Sequence, residues 1–570
     1  MVSVREGGQG GFCDLREMLC ATREKHGTCV AFHEKKQGFY QHISYGRLCE
    51  EAQALGTALC RMLPGSPRVL LVGKNSYRWA LSCLALLCGA GVSVPADTAL
   101  CAEDIEAIAA SAHVDAVLYD ADLADRVKGL SGVTSICFDA IPQLVEDGRA
   151  AVLAGEEDIF ATPIDPEAPA MIFYTGGAAK GVVLSHKSIA TTLLGVCASG
   201  VVREDDIFLS VLPLSHVYEC VLGLLYPIAC GASVAFAESL GSMMRNMREI
   251  HPTCMVAVPF LAERIYDKFW QLVGENEAQV RRAIAVSDPV RPLSARQALK
   301  ERLLAGVRAP FGGALRYMMI VGGCLPAALS KGLRQLGIFA AQSYGMAECG
   351  GLVAMTSPTC YRDGTVGPPL SHATIEIFNK QADGSGEIRI KGNGLMLRYD
   401  NDDASCVSAL QDGGYDTGDM GRIDSDGFLH IIGKKQNCIT RADGTVISPE
   451  ETEQLLLQSP LVREAVVVGV RDDARGDCEP AAMILPDIEN AADLFGADYT
   501  REALEGAVGE WICEINKGLP DAAQILLFAL CDTAFPKDAA GRMMRAAIAA
   551  DLQAAKGFGE QILSQEEKSI

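Results

Sequence analysis

The sequence predicts an α/β protein: a large N-terminal body of two βαβ-type subdomains plus a small β subdomain, followed by a smaller α+β C-terminal domain. Three observations carry this prediction. The chain has 570 residues, too many for one hydrophobic core. Short β-branched runs alternate with helical patterns over most of its length, and after about Gly350 they give way to short strands separated by Gly and Asp turns. A polar, basic stretch, Gly433-Lys434-Lys435-Gln436, then precedes a new α/β pattern that begins at Val446.

The elements follow in order. A strand over 68–73, a helix from Tyr77 and strands over 92–95 and 115–119 form the first set, and such alternation implies parallel strands covered on both faces. Strands over 170–174, 207–212, 233–236, 254–258 and 318–321 predict a second α/β layer. The small β subdomain is read from 374–378, 386–391 and 428–432. The most apolar window, 80–96, is shorter than the roughly 20 residues that span a bilayer, and its glycines make it read as helix, turn and strand. The predicted domains are 1–433 and 437–570, with a hinge over 434–436.

Composition excludes several function classes. An apolar fraction of 49% with 21% charged residues belongs to globular chains, not disordered ones. A formal charge of −22 argues against nucleic acid as a partner, because phosphate backbones are held by clustered Lys and Arg. Any anionic ligand must then be gripped locally, by backbone amides, one or two cations or a metal ion. The 21 cysteines show no C-x-x-C pair and are expected to be reduced and mostly buried. Residues 1–20 lack the continuous apolar stretch of a secretory signal, which favours a cytoplasmic location. No transmembrane segment is expected; peripheral membrane contact stays open, although no polybasic stretch supports it.

Tyr174-Thr175-Gly176-Gly177-Ala178-Ala179-Lys180-Gly181 reads as a strand entering a glycine turn, with a lysine before the next strand or helix. Glycines let backbone N–H groups approach an anion, and the lysine adds a point charge. Alone, the segment reads first as an ordinary glycine turn. It is followed in order by LPLSHVYE (212–219), QSYGMAE (342–348), GTVGPP (364–369), YDTGD (415–419) and Gly541-Arg542. This ordered set resembles the adenylate-forming superfamily, which contains the acyl-CoA synthetases and luciferases. LPLSHVYE, PTCMVAVPFLAERIYDK (252–268) and ISPEETE (447–453) are most similar to its long-chain fatty acyl-CoA synthetases. The resemblance runs from about Ile43 to the region of Arg545.

The resemblance implies a ligase that uses ATP, Mg²⁺ and CoA. A fatty carboxylate attacks the α-phosphate of ATP, giving acyl-AMP and pyrophosphate, and the CoA thiol then takes the acyl group. An acyl carrier protein is the alternative acceptor, and a ligand- or partner-binding relative without turnover is the alternative from another class. Thr175, Gly176, Gly177 and Lys180 would form the phosphate loop, and Glu348 would hold Mg²⁺. Tyr344 and Gly345, with Gly322 and Gly323, would lie against the adenine. Asp419 would accept the ribose hydroxyls, and His216 would sit between the nucleotide and acyl sites. Arg542, on a mobile C-terminal domain, would meet the carboxylate and α-phosphate, with Gln436 as the hinge.

This chain departs from the pattern at the phosphate. The family's YTSGTTG-x-x-KGV is here YTGGAAKGV, three residues shorter and without the serine and threonines after Thr175. Ala347 replaces a threonine, Lys434 an arginine and Arg542 a lysine. Two of these changes keep the charge, but the hydroxyls are lost. Hydrogen bonds to charged groups contribute about 1.5–3 kcal/mol each.

Overall fold

The structure is a computed structural model that describes residues 11–175, 180–274, 280, 308–402, 405, 409–441, 445–472, 477–496, 498–536, 543–555 and 561–562. The chain divides into two compact units. One comprises Met1–Glu376, Arg389–Asp416 and Asp424–His430; the other comprises Ile377–Ile388, Thr417–Ile423 and Ile431–Ile570.

The first unit holds two large sheets. In the seven-stranded sheet the order is Arg398–Asp400, Lys180–Ser185, Pro169–Thr175, Val92–Ala96, Arg68–Val72, Ala116–Tyr119 and Thr134–Cys137. Its last five strands pair in parallel, whereas Lys180–Ser185 runs antiparallel to both of its neighbours. The eight-stranded sheet has the order Ala354–Met355, Phe339–Tyr344, Tyr317–Ile320, Cys254–Ala257, Ile207–Ser210, Ser233–Phe236, Val30–Lys36 and Phe39–Ser44. Its middle strands are parallel and buried along their length, the burial that a near-continuous apolar run requires.

The apolar window over 80–96 is a core element. Ser76 caps the helix Tyr77–Ala85 by accepting from the Trp79 amide, a tight turn follows over Leu86–Ala90, and the strand Val92–Ala96 is buried throughout. Among the described residues no helix is long and apolar enough to cross a membrane. Trp79, Leu84 and Leu87 from this segment join Tyr45, Leu55 and Phe173 in the main hydrophobic cluster. The short strands expected after Gly350 lie at Ala373–Phe378, Gly386–Gly392, Gly414–Ile423 and Leu429–Lys434.

In the second unit the strands Val462–Asp472, Asp477–Pro486, Leu527–Leu530 and Gln561–Ile562 form one sheet. The helices Pro449–Leu456 and Arg501–Asn516 supply Leu456, Leu504, Val508 and Ile512 to its core. Arg545, on the helix Arg545–Ala555, donates to both carboxylate oxygens of the largely buried Glu453, at 2.5 and 2.8 Å. This bidentate geometry fixes the last described helix against the rest of the unit.

The expectation for cysteine burial needs correction. Of the twenty cysteines among the described residues, six are buried, five are exposed and the rest are half-buried, and none is in a disulfide.

Gly148 makes a close helix–helix contact in the first unit. The helix Ile141–Ala154 packs on Tyr45–Met62 so tightly that a Cβ at Gly148 would stand 1.8 Å from the carbonyl oxygen of Ala54. Gly148→Ala is expected to destabilise the unit by about 1–3 kcal/mol through overpacking. Urea unfolding should show the lower midpoint, with Gly11→Ala, whose Cβ would meet nothing within 4 Å, unchanged.

Candidate active site

The strands Pro169–Thr175 and Lys180–Ser185 pair with Thr175 opposite Lys180, so the four residues 176–179 connect them. Gly176 and Gly177 lie outside the described residues, as does the side chain of Thr175. Lys180 is exposed, and its Nζ stands 5.0 Å from the centre of the Tyr399 ring. The glycine after it has a packing reason: a Cβ at Gly181 would meet the Tyr174 ring at 2.8 Å.

Tyr399 also reaches Glu348. Its hydroxyl donates to Glu348 Oε1 at 3.0 Å and lies 3.3 Å from the Tyr415 hydroxyl, and both tyrosines are buried. Burial, together with the charge of Glu348 nearby, pushes the Tyr415 hydroxyl well up, so it stays protonated. Tyr399 sits on the three-residue edge strand Arg398–Asp400, which pairs with Lys180–Ser185. That strand is pinned from behind by Arg68, which donates to both oxygens of the buried Asp400 at 2.7 and 3.2 Å. Lys180 and Glu348, both named from the sequence, thus approach the same tyrosine. The structure adds Tyr399, Tyr415 and Arg68, to which sequence reasoning assigned no role. Ala347, where the hydroxyl is lost, is 3% exposed and packs in the main core.

A second group forms around the LPLSH segment. Asn75 accepts from the Leu214 amide at 3.0 Å and donates to the Leu212 carbonyl and the Ser210 hydroxyl, which fixes the turn before His216. The His216 imidazole stacks on Tyr218 with ring centres 5.2 Å apart, and the Tyr218 hydroxyl donates to the Gly345 carbonyl. The surrounding protein holds the His216 pKa below its usual value, opposed by Asp97, although the residue keeps an open edge. Gly345 has no room for a side chain, since a Cβ would lie 2.2 Å from the Gly351 carbonyl oxygen. Tyr344 ends the strand Phe339–Tyr344 half-buried, and Gly322, at φ +75°, and Gly323 present exposed backbone beside Tyr218 and Pro259 respectively. His216, Gly322 and Gly345 therefore converge on Tyr218.

The second unit holds Asp419, Lys434 and Gln436. Asp419, 5% exposed at its side chain, lies 2.5 Å from Lys434 Nζ, and its backbone N–H donates to Thr417 Oγ1. Asp419, expected at the ribose, and Lys434, which replaces the family's arginine in the cofactor-binding set, thus form an ion pair. Gln436 is exposed in the short turn Lys435–Asn437 between strands. Arg542 lies outside the described residues.

Comparison with known proteins locates these elements. Residues 20–400 match the AMP-binding enzyme family, and residues 436–555 match the AMP-binding enzyme C-terminal domain. The chain is 28% identical over 470 residues to long-chain-fatty-acid–CoA ligase FadD15 of Mycobacterium bovis, covering 77% of each chain. It is 26% identical over 499 residues to long-chain-fatty-acid–CoA ligase ACSBG1 of Bos taurus, covering 80% of this chain and 68% of that one. Among solved structures, ATP-bound MatB from Rhodopseudomonas palustris superposes with a TM-score of 0.72 at 20% identity, over 95% of this chain and 99% of that one. A Mycobacterium tuberculosis fatty acyl CoA synthetase gives 0.66 at 20% identity over 95% and 99%.

Glu219, the last residue of LPLSHVYE, is fully buried, and this raises its pKa from 4.5 to about 8, offset only in part by the Ser210 hydroxyl and the Val211 amide. The folded chain therefore keeps a proton there that the unfolded chain releases above about pH 4.5. Stability falls as pH rises from there through about 8 and levels off above, by about 5 kcal/mol at most at ~1.4 kcal/mol per pKa unit. Glu219→Gln should remove this fall, and thermal melting from pH 5 to 9 reads it: the variant gains on the parent chain as pH rises.

Proposed function

Since the chain belongs to the AMP-binding enzyme family, we propose that it activates a long- or medium-chain fatty acid with ATP, forming acyl-AMP and pyrophosphate, and passes the acyl group to the thiol of CoA with release of AMP. The observation that carries this reading is the group Lys180, Tyr399 and Glu348. It joins a cation and a tethered carboxylate through one tyrosine, in a family whose relatives are named long-chain-fatty-acid–CoA ligases. In-line attack on phosphate builds negative charge, so the protein contributes by positioning and electrostatics more than by acid–base chemistry.

In this reading Lys180 meets the phosphates, and Tyr399 holds one oxygen of Glu348 and so orients the other. Among the described residues there is no group of three or more His, Cys, Asp or Glu that could hold a metal ion. A Mg²⁺ would then be held by Glu348 with ATP phosphates and water, which suits a cation that keeps several waters. When bound, it neutralises charge on the phosphates. His216 and Tyr218 form the wall between the nucleotide and acyl sites, while Tyr344, Gly345, Gly322 and Gly323 face the adenine. Asp419 takes the ribose hydroxyls, with Lys434 as the cation beside it. The domains are 1–433 and 437–570, joined by a hinge over 434–436 centred on Gln436, and Arg542 closes on the α-phosphate. The reaction is placed in the cytoplasm.

The lost hydroxyls favour a second reading, a binding protein without turnover. ATP–pyrophosphate exchange with Mg²⁺ and a panel of fatty acids decides between them. Fatty-acid-dependent exchange that falls by about 10²-fold in Glu348→Gln supports the synthetase. Silence in the parent chain, with ATP still bound, supports the second reading. AMP release that depends on CoA separates the CoA acceptor from a carrier protein.

A further inference from the structure

Among the described residues of the first unit, cysteine side chains pair in three places, and in one of these both partners are half-buried. Cys83 and Cys220 are fully buried, and in the pair Cys20 and Cys49 the second thiol is 1% exposed. Cys197 and Cys230 are both half-buried, with their sulfurs 3.5 Å apart. They line an open cleft of about 580 Å³ together with Val202, Arg203, Glu204 and Asp205.

The backbone suits a change at this pair. Cys197 is the last residue of the helix His186–Cys197, and Cys230 the last of Tyr226–Cys230, which Gly231 ends at φ +77°. Side chains at helix ends re-orient without opening the hydrogen-bonded turns behind them. A disulfide has its sulfurs about 2.05 Å apart, so the two thiols must close by roughly 1.5 Å.

We propose that Cys197 and Cys230 form a reversible modification site, an internal disulfide made by exchange with a small-molecule disulfide of the glutathione class. The Cys197 thiolate attacks one sulfur of the oxidant, its S–S bond breaks, and one glutathione thiolate leaves. The Cys230 sulfur then attacks Cys197, forming the internal bond and expelling the second glutathione. Both protein thiols are oxidised, one disulfide is reduced to two thiols, and the two protons pass to the released thiolates. The hydrogen bond with the Cys197 sulfur, and then burial, push the Cys230 thiol up, so it keeps its proton and reacts second. The cleft offers the cation of Arg203 to a carboxylate of the oxidant, with Glu204 and Asp205 beside it. The resulting link joins the ends of two segments whose other ends carry Lys180 and His216.

The test needs no enzymatic activity, so its outcome is independent of the proposed function. The full chain is treated with oxidised glutathione, digested without reductant and mapped by mass spectrometry. The expected result is a linked peptide pair containing Cys197 and Cys230, lighter by two hydrogens, that dithiothreitol separates. The link should be lost in Cys197→Ser and in Cys230→Ser, and kept in Cys83→Ser. Should a serine variant fail to fold, alkylation of the parent chain serves instead, with both residues protected after oxidation and labelled after reduction. The inference is overturned if the two thiols stay free, or carry glutathione separately without an internal bond, while exposed Cys13 or Cys360 reacts.

Discussion

The hydrogen bond from Tyr399 to Glu348 is the interaction on which the candidate site depends. A carboxylate that is to hold a metal or steer a phosphate must keep its oxygens in one orientation, and a buried phenol does this without adding charge. The geometry is supported from outside. Arg68 clamps Asp400, Asp400 fixes the edge strand, and the edge strand aims Tyr399 at Glu348 and sets its ring beside Lys180. Loosening the Arg68 end would let the carboxylate drift without removing any residue that faces the ligand.

In the proposed reading this arrangement also lets a chain with a formal charge of −22 meet an anion. Overall charge sets solubility and long-range attraction, whereas a phosphate responds to the nearest few groups. In the proposed reading the cation that the first unit offers is a single lysine, Lys180, beside the Tyr399 ring. What the chain has given up is hydroxyl groups. Ala347 lies in the apolar core, where a hydroxyl would have to find a buried partner, so its loss is compatible with packing.

Much of the fold was legible in the sequence because parallel strands buried on both faces read as short apolar runs. The expected strands over 233–236 and 254–258 match the observed Ser233–Phe236 and Cys254–Ala257 closely. Within the site, the residues carried by compact motifs were legible: Lys180, His216, Tyr344 and Glu348. Those that position them were not. Tyr399 meets Glu348 across 51 residues and Arg68 meets Asp400 across 332, and no local pattern records such pairings. A strand of three residues is also too short to show a period. Asn75, which braces the turn before His216, has an ordinary local sequence; only its contacts mark it.

A double-mutant cycle on the dissociation constant of MgATP shows whether Tyr399 acts through Glu348. Calorimetry would compare the parent chain with Tyr399→Phe, Glu348→Gln and the pair. Each single change is expected to weaken binding by about tenfold, the size of one charge-assisted hydrogen bond. The pair should then bind as Glu348→Gln alone does, because the tyrosine has lost the group it orients. Independent effects that multiply to about a hundredfold in the pair would contradict it.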